Sequence, residues 1–155
     1  MDHAAARHAF EEALRTSTPD FETFFLSRFF GLTYVYEGET LTITFPIYDF
    51  LFNPQGWVHG GVSAFVLDVA MGHLLWHTLQ APGSTLEMKT QYLAPLRGKA
   101  AKCVANFIRK GNNICFLEAR LYDDEDNVAV AATSTWRVNR PRSAPSGSVS
   151  EERPS

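Results

Sequence analysis

The longest apolar run in the chain, Val62 to Leu79, constrains its fold more than any other feature. It approaches the ~20 residues that cross a bilayer. Asp68, His73 and His77 interrupt it, however, and no Lys or Arg flanks it closely. Ionisable groups inside a span need interior partners, so the run reads instead as a helix over roughly residues 60–79, buried within protein. A helix that is apolar on nearly every side must be covered nearly all round. The sequence downstream supplies the cover in four strand-like stretches, Thr85–Leu93, Lys99–Arg109, Ile114–Tyr122 and Val128–Val138. Pro95-Leu96-Arg97-Gly98, Lys110-Gly111-Asn112-Asn113 and Asp123–Asn127 join them. Connections this short suit an antiparallel meander, because a parallel pair needs a crossover element.

Upstream, residues 3–15 are rich in Ala, Glu and Leu and predict a short helix. Ser17-Thr18-Pro19-Asp20 reads as the start of a second, with Phe21, Phe24, Phe25 and Phe29 at helical spacing and Gly31 as its stop. Leu32–Tyr36 and Leu41–Phe45 flank Glu37-Gly38-Glu39 as a hairpin. From Asn139 the chain turns polar and is expected to be disordered. The order predicts an α+β fold, a long central helix wrapped by an antiparallel sheet of about five or six strands. It divides into a helical extension over 1–31, a main domain over 32–138 and a tail over 139–155.

Composition narrows the function. A formal charge of −3 gives no basic surface for nucleic acid. Cys103 and Cys115 lack metal or redox spacing and read as buried thiols, which points to the cytoplasm. The first fifteen residues lack the apolar run of a signal peptide.

Within residues 61–72, Asp68 is the one ionisable side chain. A buried carboxylate must be partnered, neutral or facing a wet cavity. At 100° per residue Gly61, Ala64, Asp68 and Gly72 fall on one stripe, three of them tiny. From the helix alone, a structural and a catalytic Asp68 are equally weighted. The preceding segment, Asn53 to Gly61, tips the balance, since it delivers two adjacent glycines to a helix N-terminus. Free N–H groups at the positive end of a helix dipole suit a developing oxyanion. His59 either polarises a carbonyl or bonds to backbone, and Asn53 either orients water or starts a turn. Gly60 and Asp68 stand eight residues apart, roughly 12 Å along a helix. If both act on one carbonyl, they come from two subunits related by a two-fold axis.

The run Asn53-Pro-Gln-Gly-Trp-Val-His59-Gly60-Gly61, followed by Phe65-Val-Leu-Asp68 and Ala70-Met-Gly72, resembles the hotdog-fold acyl-CoA thioesterases of the phenylacetate-degradation (PaaI) type. So do Leu86 to Pro95, Arg109-Lys110-Gly111 and Phe116 to Ala119. The resemblance covers roughly residues 31–138. It implies hydrolysis of an acyl-CoA to free acid and CoA, in a homodimer that pairs into a tetramer. By position Asp68 matches the general base or nucleophile, and Gly60 the oxyanion-hole N–H. Asn53 and His59 match the polar helpers, and Thr85 a hydroxyl that assists the attacking water. The acid and the His-Gly-Gly loop of that family come from opposite subunits, in agreement with the distance above.

Two mechanisms fit, water activation by Asp68 or direct attack by its carboxylate. No metal or redox cofactor is implied, CoA being part of the substrate. Its phosphates need cations, for which Arg97, Arg109 and Lys110 with neighbouring Gly111 are candidates, each balanced against simple solvated charge. Trp57, Phe50, Phe52 and Trp76 suggest an aromatic or medium-chain acyl pocket, or packing. A non-hydrolytic acyl-CoA-binding regulator is the alternative. A hotdog dehydratase fits less well, because its acid–base pattern at the helix start is absent.

Overall fold

The computed structural model describes residues 1–140; the expected tail lies outside them except for Asn139 and Arg140. Helix α1 spans His3–Thr16, with Asp2 capping it through bonds from the Ala4 and Ala5 N–H groups. Helix α2 covers only Phe25–Phe29. Strands β1 (Thr33–Glu37) and β2 (Thr40–Pro46) form the expected hairpin. A single 3-10 turn at Asp49–Leu51 precedes the long helix α3, Gly60–Leu79. Strands β3 (Gly83–Tyr92), β4 (Ala100–Arg109), β5 (Ile114–Tyr122) and β6 (Val128–Val138) follow.

All six strands form one antiparallel sheet in the order β1-β2-β4-β5-β6-β3. Strands β4, β5 and β6 are the meander that their short turns predict. β3 is a correction, because it pairs with β6 at the far edge and leaves β4 to pair with β2. The Pro95–Gly98 connection therefore crosses the sheet's end instead of closing a hairpin. The reason is spatial: β3 and β4 sit on opposite sides of the β5–β6 pair, which lies between them.

The inner face carries small residues, Ala101, Ala105, Ala119 and Ala132, among larger ones such as Leu117 and Leu121. That profile lets α3 settle onto the sheet through Val66, Leu67, Met71, Leu74 and Leu75, all fully buried. Each such side chain contributes about 1.5–3 kcal/mol. The His59 cap at the start of α3 contributes ~1 kcal/mol, so burial decides where this helix lies. Although α3 is long and apolar enough to cross a bilayer, its apolar surface is spent on this core.

The second helix is shorter than its sequence suggests. Thr18 bonds to Asp20 Oδ2 at 2.7 Å and to the Thr23 hydroxyl, while the Thr18 N–H donates to the Thr23 carbonyl at 2.9 Å. These local bonds offer residues 18–23 an alternative to the helical ladder. The Phe21 carbonyl instead accepts from His73 Nε2 on α3. Phe21 therefore leaves the expected stripe and stacks on Trp76, ring centroids 4.5 Å apart.

Candidate active site

Asp68 points from α3 toward the edge strand, where its Oδ1 accepts a 2.8 Å bond from the Thr85 hydroxyl. It is half-buried, and among the described residues no cation pairs with it. Of the alternatives open to a carboxylate on an apolar helix, the molecule takes two: one neutral partner and partial access to solvent. A carboxylate with one oxygen bonded to a hydroxyl keeps lone pairs that can accept from water or attack an acyl carbon.

The stripe around it is less open than residue size implies. A Cβ on Gly72 would come within 2.8 Å of the buried Trp136 ring, so that glycine accommodates the protein's own core. A Cβ on Gly61 would meet the His59 ring at 3.2 Å. Gly61 is exposed, and Ala64, Asp68 and Gly72 are half-buried.

Thr85 reaches Asp68 because of a β-bulge. It pairs with Trp136, whereas Glu87, two residues on, pairs with Thr135, so Leu86 is an extra residue in the ladder. An extra residue reverses the alternation of side chains beyond it. Thr85 and Tyr92, seven positions apart, consequently both face the helix side of the sheet.

The Asn53–Gly61 loop folds at the other end of β3. Asn53 Oδ1 accepts from the Gln55 N–H at 2.9 Å, and the Asn53 N–H donates to the Trp57 carbonyl at 2.8 Å. Asn53 therefore starts the turn. His59 Nδ1 accepts the Gly61 N–H at 2.9 Å. This makes His59 the N-cap of α3 and consumes one of the two glycine donors. The Gly60 N–H remains without a hydrogen-bond partner among the described residues. A cleft of about 380 Å³ opens beside it, lined by Asn53, Trp57, Gly60, Ser63, Tyr92 and Leu96 among others. Asp68 is not in its lining, so one protomer does not bring the acid and the glycine loop together.

The cation candidates separate. The Arg97 guanidinium lies over the ring of Trp57, 4.8 Å from its centroid, and it is Trp57 that lines the cleft. Arg97 also borders a groove with Asp123, Asp124 and Glu125. Lys110 is paired with Glu39, and Gly111 is packed against the Ile114 backbone in the β4–β5 turn. Arg109 follows a bulge in β4 and lines a groove with Glu87 and Phe116. Of the four aromatic candidates only Trp57 borders the cleft. Phe50 packs between Tyr48 and Phe29, Phe52 bridges to Val58, and Trp76 is stacked on Phe21. Tyr92 and Ser63 are site residues to which the sequence assigns no role; the β3 bulge that turns Tyr92 inward leaves no mark in the local alternation.

A long helix cradled by one antiparallel sheet is the hotdog architecture. Residues 55–130 match the thioesterase superfamily. The medium/long-chain acyl-CoA thioesterase YigI of Escherichia coli (strain K12) is 29% identical over 100 residues, covering 54% of this chain and 64% of that protein. Its Salmonella typhimurium counterpart is 28% identical over the same shares. The chain thus spans less than two thirds of the length of these curated relatives. A Bacillus halodurans protein whose crystal structure was determined with CoA superposes with a TM-score of 0.76 at 22% identity, over 90% of this chain and 91% of that one. A phenylacetic acid degradation-related protein of Ralstonia eutropha JMP134 gives 0.70 at 26% identity, over 84% and 99%. The chain has the hotdog fold of these proteins, and just under half of it carries the match to the thioesterase superfamily.

Proposed function

We propose that this protein hydrolyses acyl-CoA thioesters to the free acid and CoA. Asp68 activates water or attacks the carbonyl, Thr85 orients it, and the Gly60 N–H receives the oxyanion. The observation that carries this is the pairing of Asp68 with a neutral hydroxyl alone. A structural carboxylate would be expected to hold a cation or several backbone donors, whereas this half-buried one holds a single hydroxyl and keeps its other oxygen free. The names of the relatives put medium- and long-chain acyl groups in the test panel, and Trp57 adds aromatic ones. His59 and Asn53 shape the loop, and Arg97 is the CoA-facing cation best placed at the cleft. The reaction as proposed needs water and thioester alone. The free cysteines keep the cytoplasm as its expected setting.

The site is shared by two copies in this reading. β3 lies at the sheet edge, and its outer side has no strand partner among the described residues. Leu86, Tyr92 and Leu93 on or beside it are more than half exposed. Antiparallel pairing of two β3 edges about a two-fold axis near the middle of the strand, in a register that keeps opposed side chains on the same face, would set the Thr85 end of one strand beside the Tyr92 end of its partner. That register brings Asp68 toward Gly60 of the partner subunit and answers the separation of ~12 Å along α3. A further pairing of dimers belongs to the same proposal, as do the extension over 1–31 and a separate tail.

Thiol release over a panel of aromatic, medium- and long-chain acyl-CoAs tests the activity, and no turnover of any of them refutes it. Co-expressed Asp68→Ala and Gly60→Val chains test the sharing. Each is expected to be inactive alone, and random pairing restores about a quarter of wild-type activity through one intact site per heterodimer. No restoration sinks the shared site. Single turnover in labelled water separates the mechanisms, since label in Asp68 marks direct attack.

A further inference from the structure

Two successive peptide planes at the start of α3 are fixed by unusual means. The His59 carbonyl accepts from the Val62 and Ser63 N–H groups at 2.9 and 3.2 Å, which holds the plane that carries the Gly60 N–H. The next plane, between Gly60 and Gly61, is held at both ends by side chains. Its N–H donates to His59 Nδ1 at 2.9 Å, and its carbonyl accepts the Tyr92 hydroxyl at 2.9 Å. The Tyr92 ring also covers Gly60, since a Cβ there would lie 3.2 Å from Cε1 and 3.3 Å from Cζ. Two adjacent glycines otherwise have the widest backbone freedom in the chain. Tyr92 itself is 57% exposed and borders the cleft, so burial does not account for a hydroxyl aimed at this carbonyl.

We propose that Tyr92 is a positioning residue for the oxyanion hole: its hydroxyl clamps the Gly60 carbonyl and thereby restrains rotation at the Gly60 Cα, the pivot shared with the adjoining plane that carries the Gly60 N–H. The proposal rests on the hydrolase reading and extends it to a residue that need not touch the acyl group. It also explains why position 60 is glycine in this chain, for the tyrosine ring occupies the place a side chain would take. A pre-aimed donor stabilises developing charge without reorganising during the reaction.

Tyr92→Phe deletes the bond and leaves the ring. The expected result is a fall in kcat of about tenfold, within the range that small misplacements of a reacting group produce, with KM and thermal midpoint unchanged. Affinity for a non-hydrolysable thioether analogue of the substrate should also hold, because the ground state makes no demand on the oxyanion donor. In parallel, the Gly60 and Gly61 amide signals of Tyr92→Phe should shift and their fast motion increase in 15N relaxation. Tyr92→Leu, which also removes the ring, should show both effects more strongly. Unchanged kcat in Tyr92→Phe beside an active wild type overturns the role of Tyr92 and leaves the hydrolase reading standing. If the wild type itself turns over nothing, the hydrolase reading fails instead, and unaltered Gly60 and Gly61 amides then overturn the clamp as well.

Discussion

Asp68 and His73 lie five residues apart on one apolar helix, and the molecule treats them in opposite ways. His73 is 5% exposed. Its Nε2 donates to the Phe21 carbonyl, and its ring stacks on Tyr34 with centroids 5.0 Å apart while the Phe21 ring meets it edge-on. Burial pushes the imidazole below its ordinary pKa, so it stays neutral. Tyr34 is equally committed, with its hydroxyl 2.7 Å from Ser27 Oγ and its phenol pushed up to about 12 by burial. Asp68 has one hydroxyl partner and an open side. A polar group on a core helix is thus told apart by what is left over once its partners are counted. His73 fastens the 17–31 segment to α3, and Asp68 retains capacity for a substrate.

If that contrast is right, the two residues should fail differently. Asp68→Asn should lower kcat/KM by at least about 10³-fold, or ~4 kcal/mol of transition-state stabilisation, while urea unfolding shows stability unchanged or raised. A large stability loss would make Asp68 architectural. His73→Ala should show the reverse, about 2–3 kcal/mol of lost stability from the cavity and the unbonded Phe21 carbonyl, with thioesterase activity retained at low temperature. Thr85→Val should reduce kcat about tenfold, or ~1.4 kcal/mol, and Thr85→Ser should restore it; equal activity in both would show that the hydroxyl contributes nothing to Asp68.

The smallest effect concerns pH. His73 has a folded-state pKa below its unfolded value of 6.5, so below that value the unfolded chain binds more protons than the folded one, and stability rises with pH. The contribution is complete above pH 6.5 and is lost as pH falls from there through the folded pKa. Thermal midpoints recorded between pH 7.5 and 5 should decline for the wild type and flatten in this window for His73→Leu. Parallel curves would remove His73 as the cause.

Much of this was legible in the sequence, and the reasons for the rest are specific. The α3 helix and its need for cover followed from Val62–Leu79 because burial on all sides leaves no polar face. Strands β4 to β6 followed from short turns. The place of β3 did not, because its pairing with β6 rests on contacts such as Thr85 with Trp136, fifty-one positions apart by subtraction (136 − 85), which no local pattern encodes. The foreshortening of α2 depended on His73 claiming the Phe21 carbonyl, again a distant partner. At the candidate site, the places of Asp68 on α3 and of the glycine loop at its start were readable from residue type and spacing, and their catalytic roles belong to the proposal. Tyr92 was not, since the Leu86 bulge inverts the inward and outward positions that simple alternation assigns along β3.

The strand order also has a consequence during synthesis. A ribosome delivers β3 well before β6, yet within one chain β3 docks on β6 alone among the described strands. Until Val128–Val138 has emerged, the nascent chain can assemble β1, β2, β4 and β5 around α3 while β3 waits as an unpaired loop. Thr85 then has no fixed address, and Asp68 no hydroxyl beside it. Pairings that span so much chain form slowly, so the step that seats the acid's partner falls among the last of folding. A chain released early, before residue 128, would carry every residue of the glycine loop and the acid itself, but no wall on which to hang the strand that orients it.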